Sequence, residues 1–317
     1  MNQRPTIEFV KDVTQTAQVM RNPSVSFLAE GHGNYNFLLQ EDDRKLIFRY
    51  NKNAEPQFAN SLITEYTILR YFHAVGITCC PNAIYLDTDH PVLIESYLEG
   101  KEVTLGQLTN TQLQQYITTL HQVFSLKPND LKRFCEQEGF PDLPPAGSIP
   151  EAVTIYGHNR LQVAKTGAWQ VEPTILNWLQ ERLDENMKIA QSLQQPNLVG
   201  VSLGDLQPHV IVSSTGDVQF FDFDHACYSH SIGLGSLDTL NTLSPEQFAF
   251  VVHCYAELTQ TPVHKLQQQI TMEKQLTLIN DVTWAAMQWA QTGKEQYKTL
   301  TYQRKRIAEA FLASKGE

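Results

Sequence analysis

Lysine and arginine are missing from the whole stretch between Val201 and Phe250, which holds six acidic side chains. A concave surface with that bias repels nucleic acid and attracts Mg²⁺ or a cationic small molecule. Cysteine is also scarce: there are five, at 79, 80, 135, 227 and 254, with no CxxC pair among them. An odd handful without that spacing excludes a disulfide framework and reads as reduced thiols in a cytoplasm. No apolar run approaches the ~20 residues that a bilayer span requires. The opening "MNQRPTIEFVKDV" has no apolar core of a secretion signal. The expectation is therefore a cytoplasmic protein with neither a membrane nor a nucleic acid as partner. What is present is ordinary: 317 residues, 42% apolar and 18% charged, with a net charge of −10. That length suffices for two domains or one two-lobed unit.

The texture changes along the chain. "SVSFLA" and "YNFLLQ" flank a glycine-rich turn, "EGHGN", and "EDDR" turns the chain again into "KLIFRYN". Gly, Asn and Asp stand where hairpin turns need them, so this is a β-hairpin pattern. The segment after Ala54 then places Phe58, Leu62, Leu69, Phe72 and Val75 at helical spacing, with Pro56 suited to the first turn and Gly76 to the position after the last. "NAIYLD" and "PVLIESYL" read as two further strands. Beyond Gly100 the pattern is mostly helical. Thr109 with Gln112 spells a capping box, and Leu113, Tyr116, Ile117, Leu120 and Phe124 share one face. Two short strands around "SSTGD" interrupt the helices. The expected class is α+β: a small antiparallel β-sheet with one main helix over residues 1–94, a connector over 95–100, and a larger, mainly helical part over 101–317.

Two aspartates carry the chemical argument. Asp205 follows the apolar run "LVGVSLG", and Asp222 ends the run "VQFF". A hairpin between them would bring both carboxylates to one mouth. In-line phosphoryl transfer asks for this kind of equipment: a grip on nucleotide phosphates, one or two Mg²⁺ ions, and a carboxylate that orients and deprotonates the attacking hydroxyl. On the residues alone, a turn-capping aspartate and an ion-paired one fit the same pattern.

Several segments in order add weight. "SLGDLQPHVIV…VQFFDFDHA" resembles the catalytic segment of the aminoglycoside phosphotransferase and choline kinase superfamily, relatives of the protein kinases. "EGHGNYNF" resembles that family's loop over the phosphates, "LIFRY" its strand with the phosphate-binding cation, and "EYTILRYF" the helix whose glutamate pairs with it. "VLIESYLEG" looks like the hinge that holds adenine through backbone hydrogen bonds, "YITTLHQVF" like the L-x-x-L-H helix, and "GSLDTL" like the downstream D-L motif. The resemblance implies a two-lobed kinase-like fold with ATP or GTP and Mg²⁺ between the lobes. It implies Asp205 as catalytic base and Asp222 as principal metal ligand, with Asp224 adding a second carboxylate or lining the cleft. It further implies Arg49 on the α/β-phosphates tethered by Glu65, Gly31 and Asn34 in the phosphate loop, and Glu95, Ser96 and Tyr97 along the nucleotide base. The implied reaction is transfer of the γ-phosphate to a hydroxyl of an aminoglycoside, amino alcohol or sugar-like metabolite, with a cationic or sugar-like acceptor favoured.

Three positions depart from that pattern. Leu203 stands in place of a bracing histidine, and Arg49 in place of the lysine of protein kinases. Val210 stands where the metal-binding asparagine belongs, and valine cannot ligate Mg²⁺. The last departure sustains an alternative, a pseudokinase that binds nucleotide or a small ligand with weak or no catalysis. His209, beside that position, reads as a polar loop residue. "HACYSH" places His225, Cys227 and His230 at a spacing that matches no established zinc site.

Overall fold

The structure is a computed structural model. It describes residues 3–31, 33–52, 56–143, 151, 153–192, 200–203, 209–229, 232–237 and 242–314, with the side chains of 56–60 and 236 left aside. The chain divides into two compact units. The first comprises Met1–Tyr116, Leu126–Pro144 and Leu203–Cys227, and the second Ile117–Ser125, Pro145–Ser202 and Tyr228–Glu317.

In the first unit, α1 (Ile7–Thr16) starts at Thr6, whose side chain accepts from the Phe9 amide and so satisfies an orphan N–H. A meander follows: β1 (Ser24–Glu30), β2 (Asn34–Glu41) and β3 (Arg44–Asn51). Glu41 faces Arg44 across a two-residue turn in which Asp42 takes φ +53°, a conformation that aspartate tolerates better than most residues. After α2 (Pro56–Ala74), β4 (Ala83–Asp87) and β5 (Val92–Ser96) complete an antiparallel sheet of order β1-β2-β3-β5-β4.

Alternation along the strands gives this sheet two faces. Phe37, Leu39, Leu46, Phe48, Val92 and Ile94 line one face and form a core with Val10 and Met20. Phe37 and Phe48 are almost fully buried and meet edge to face at 6.1 Å. Cutting either to alanine would cost about 3–5 kcal/mol. The other face carries Ile47 and Arg49 toward α2, whose Leu62, Leu69 and Phe72 are buried as their spacing required. Val75, at the end of the same stripe, is instead exposed, because the helix has ended at Ala74 and Gly76 turns the chain at φ +84°.

A second, three-stranded sheet joins β6 (Lys101–Val103), β8 (Val210–Val212) and β9 (Val218–Phe220). The β8–β9 turn is closed by Ser213 and Asp217, with Gly216 at φ +91°. Gly100, just before β6, has φ +153°, and a Cβ there would lie 2.4 Å from the Val212 carbonyl oxygen, so only glycine fits. Phe220 stacks on Tyr116 at 5.1 Å, and its amide donates to the Cys79 carbonyl (2.8 Å). These contacts fix where the chain emerges at Phe221 and Asp222.

The second unit is built from helices: α5 (Arg160–Thr166), α6 (Pro173–Ser192), α7 (Pro245–Thr259), α8 (Val263–Thr292) and α9 (Glu295–Ala313). The first unit holds α4 (Pro128–Glu138), and α3 (Asn110–Phe124) carries the boundary between the two. Thr109 and Gln112 exchange the two bonds of a capping box at the start of α3. Leu161, Leu179, Leu183, Ile279, Val282 and Trp289 belong to the core of the second unit. Within it, Asn186 accepts from buried Gln275 at 3.0 Å. No described helix is long and apolar enough to cross a membrane.

Candidate active site

The residues that converge lie in the first unit, around one guanidinium. Arg49 sits on the α2-facing side of β3 and is 6% exposed. Its Nη1 donates to Glu65 Oε1 from α2, a residue with no exposed surface. Its Nη2 donates to Asp222 Oδ1 at 2.7 Å. With its amide turned to satisfy both ends, Asn34 accepts from the same Nη2 at 2.9 Å and donates to the Gly33 carbonyl at 3.1 Å. The Phe223 amide donates to Glu65 Oε1 at 3.1 Å, which ties the Asp222 segment to α2 a second time. Four of the expected residues, Asn34, Arg49, Glu65 and Asp222, are thus one bonded cluster drawn from β2, β3, α2 and the end of β9. Gly31 is joined to it through the loop, since its amide donates to the Asn34 carbonyl at 3.0 Å.

Three further placements complete the picture. Asp222 takes φ +69°, a left-handed conformation that turns its side chain out of the strand line. Asp224 is largely buried, lies 3.6 Å from His225, and is close enough for its charge to act on Glu65. The amides of Ser96 and Tyr97, expected along a nucleotide base, donate to the Asn82 and Lys45 carbonyls at 2.9 and 3.3 Å. Asp205 lies outside the described residues, as does His230.

Three side-chain contacts around this cluster were not foreseen from the sequence. Glu95 was expected to act through its backbone, yet its side chain lies 3.7 Å from Arg49 Nη1. On paired strands Ile47 faces Glu95 and Arg49 faces Leu93, so Arg49 and Glu95 are diagonal neighbours on one face. The odd-numbered parity of 47, 49, 93 and 95 was the available clue. His209, read as a polar loop residue, has Nε2 3.6 Å from Asp222 Oδ2. Lys52, three residues after Arg49, bonds to the glycine loop. In addition, Gly200 to Gly204 spells G-x-S-x-G, but Ser202 is the buried last residue of β7 (Gly200–Ser202).

The electrostatics follow from counting charges. One guanidinium faces three carboxylates, and Glu65 Oε2 and Glu95 Oε2 are buried without a hydrogen-bond partner among the described residues. Burial pushes both glutamates up, a push that Arg49 only partly offsets, and Glu95 reaches about 7. Burial acts on Asp222 in the same sense, but Arg49 and then His209 outweigh it and hold that carboxyl below its ordinary value. Arg49 is kept charged, well above its ordinary value, because Glu65, Asp222 and Glu95 overcome its burial. Asp222 is the open end of the cluster: its side chain is 29% exposed, against 7% or less for Arg49, Glu65 and Glu95. Surplus buried negative charge with an accessible oxygen donor suits a hard divalent cation, and Asp222 and Asp224 are the described carboxylates that could hold one. Among the described residues no three His, Cys, Asp or Glu side chains are grouped as a metal site; of the His225, Cys227 and His230 cluster, which matches no established zinc site, His230 lies outside them.

Residues 24–232 match the model of the phosphotransferase enzyme family. No curated protein matches the chain. Among solved structures, the GDP complex of wild-type aminoglycoside 2'-phosphotransferase-IIIa is 12% identical, covers 98% of this chain and 100% of its own, and superposes with a TM-score of 0.70. An ethanolamine kinase from Plasmodium vivax is 15% identical over 96% of this chain and 87% of its own, with a TM-score of 0.70. The choline kinase LicA from Streptococcus pneumoniae is 16% identical over 97% and 99%, with a TM-score of 0.66. At such identities the likeness shows the fold, which is kinase-like. The family match spans more than half of the chain, from the first strand of the sheet past Asp222 and Asp224. This chain therefore belongs to the phosphotransferase enzyme family, enzymes that transfer phosphate to the hydroxyl of a small molecule.

Proposed function

We propose that the chain is a nucleoside-triphosphate-dependent kinase of a small cationic or sugar-like alcohol. Arg49 would grip the phosphates, Glu65 would hold Arg49, and Asp222, with Asp224, would hold Mg²⁺. Asp205 would accept the proton of the attacking hydroxyl. A divalent ion bound there supplies neutralisation of phosphate charge. The chain's own contribution is positioning. The Gly31–Asn34 loop stands over the phosphates, and the segment Glu95–Tyr97 borders the base through groups other than the two engaged amides.

The observation that carries this reading is the bonded set Asn34–Arg49–Glu65–Asp222, which links the loop, the strand cation, the helix glutamate and the candidate metal ligand. The glycines support it. Neither Gly31 nor Gly33 takes a left-handed φ, and a Cβ on Gly33 would meet no atom of the described residues within 4 Å. The backbone there does not need glycine for its own sake, which suits a loop that a ligand approaches. For the acceptor, the neighbouring structures name an aminoglycoside, ethanolamine and choline as what those proteins act on. All carry a hydroxyl and a positively charged nitrogen, which suits the acidic stretch from Val201 to Phe250.

A second reading, binding without turnover, is favoured by one observation. Val210 is 1% exposed in the β8 ladder, paired with Val103 and Phe220, so that position offers neither an oxygen nor room for one. The test is a thermal-shift titration with ATP and GTP, each with and without Mg²⁺, followed by a panel of hydroxylated amines and sugars scored for phosphate transfer. Mg²⁺-dependent stabilisation of the parent, lost in Asp222→Asn, together with transfer to one acceptor, is the expected result. Stabilisation without transfer to any acceptor favours the second reading. No stabilisation by either nucleotide refutes both.

A further inference from the structure

One residue past the end of β3, the strand that carries Arg49, lies a second buried cation, Lys52, 6% exposed, to which the chemistry above gives no role. Its ammonium donates to the Gly31 carbonyl at 2.5 Å and to Glu30 Oε1 at 2.7 Å, and it lies 4.7 Å from the centre of the Tyr35 ring. Its backbone amide donates to the Gly33 carbonyl at 2.8 Å. One residue therefore holds both glycine carbonyls of the Gly31–Asn34 turn. Parity places it apart from the cluster. Arg49 and Asn51 face α2, where Asn51 meets Ser61, whereas positions 46, 48 and 50 belong to the opposite face, and Lys52 lies against Tyr35, which pairs with Tyr50.

We infer that Lys52 is a positioning residue for the nucleotide, a latch that fixes the glycine loop from behind so that it meets the phosphates already ordered. This deepens the nucleotide reading and rests on it. The ammonium is fully engaged by a carbonyl, a carboxylate and a ring, so it does not itself grip the phosphate. Two-glycine loops lose more backbone freedom on ordering than any other sequence. A loop ordered before binding spares that loss when the ligand arrives, which appears as affinity. The latch works through the Gly31 carbonyl and the Tyr35 ring more than through Glu30, because Glu30 is 56% exposed and an ion pair to an exposed carboxylate contributes little. Arginine at position 52 retains donors, charge and the stacking on Tyr35.

The experiment is isothermal titration of the full chain with MgATP and with MgGTP, well below the melting temperature. Lys52→Met is expected to weaken binding of whichever nucleotide the parent takes by about tenfold, through the lost ordering of the loop. Lys52→Arg should stay within about threefold of the parent and Glu30→Gln within about twofold, in line with their retained contacts. A parent that binds one nucleotide, with Lys52→Met binding it as tightly, overturns the latch and leaves the nucleotide site standing. A parent that binds neither overturns both. Glu30→Gln weakening binding as much as Lys52→Met would also overturn the latch as described, since the ion pair would then be the working contact. A purely structural lysine would lower the melting temperature and leave this affinity unchanged. Should Lys52→Met not fold, Lys52→Gln, polar but too short for the Gly31 carbonyl, carries the same expectation.

Discussion

Replacing Glu95 by glutamine should stabilise the protein at alkaline pH, although it removes an ion-pair partner of a buried arginine. Glu95 is 4% exposed, and its Oε2 has no hydrogen-bond partner among the described residues. Arg49 loses little by the change, because Nη1 keeps Glu65 and Nη2 keeps Asp222 and Asn34. Burial sets the Glu95 carboxyl at about 7 against an ordinary 4.5. Between those values the folded chain holds a proton that the unfolded chain has released. Stability therefore falls as pH rises through that window and is level above it. At 1.36 kcal/mol per unit, the full difference is about 3 kcal/mol, an upper bound for that carboxyl's own share of the gain from Glu95→Gln. Urea unfolding followed by circular dichroism at about pH 5 and about pH 8 tests it. The variant should match the parent near the lower pH, where the glutamic acid is mostly neutral, and exceed it at the higher. Glu65 slopes in the same direction, and because the Glu95 charge is one of the causes that raise it, its slope lessens in the variant and adds to the gain with the same sign. A variant less stable than the parent at the higher pH would refute the charge count, since Glu95 would then be a needed counter-ion and not a surplus one.

Two further substitutions probe the glycines. Gly33→Ala places a methyl group in open space at an ordinary φ, so the melting temperature should hold, while MgATP affinity measured by calorimetry should drop about tenfold if that space belongs to the phosphates. Gly100→Ala drives a Cβ to within 2.4 Å of the Val212 carbonyl at φ +153°, and should cost about 2–4 kcal/mol in urea unfolding.

Much of this architecture was legible because its determinants are local. The Asp42–Asp43 turn, the proline and glycine that bound α2, and the Thr109–Gln112 box each declare themselves within a few residues. The pairing of Arg49 with Glu65 came from a resemblance, and the structure places the two in contact. What stayed hidden depends on register. Glu95 reaches Arg49 because β3 lies beside β5 in one alignment, and a slip by one residue would have turned it to the other face. Lys52 lies one residue past the end of β3, so no strand pattern predicts that its amide and ammonium both reach back to a loop some twenty residues earlier. His209 approaches Asp222 only because the β8–β9 hairpin brings Phe221 back to bond the His209 carbonyl. Val75 marks the limit of periodicity, which runs on past the point where the helix stops.

The choice of arginine at position 49 follows from the geometry it must satisfy. Asp222 and Glu65 approach from different elements, and separate nitrogens of one planar fork serve them, with Asn34 added on the second. An ammonium presents its donors from a single nitrogen and cannot keep two carboxylates as far apart. The fork also stays charged whatever its neighbours do, which matters where three carboxylates surround one cation. The cluster is therefore rigid on its buried side, at Glu65 and Glu95, and adjustable on its open side, at Asp222. If Asp222 holds a cation as proposed, only one bond of Arg49 would have to give way, the one to the most exposed carboxylate of the cluster. On the proposed reading, an oxygen of Asp222 turned to a cation would leave Arg49 Nη2 with Asn34 and an open direction for an anion, which accounts for a candidate metal ligand being ion-paired to arginine.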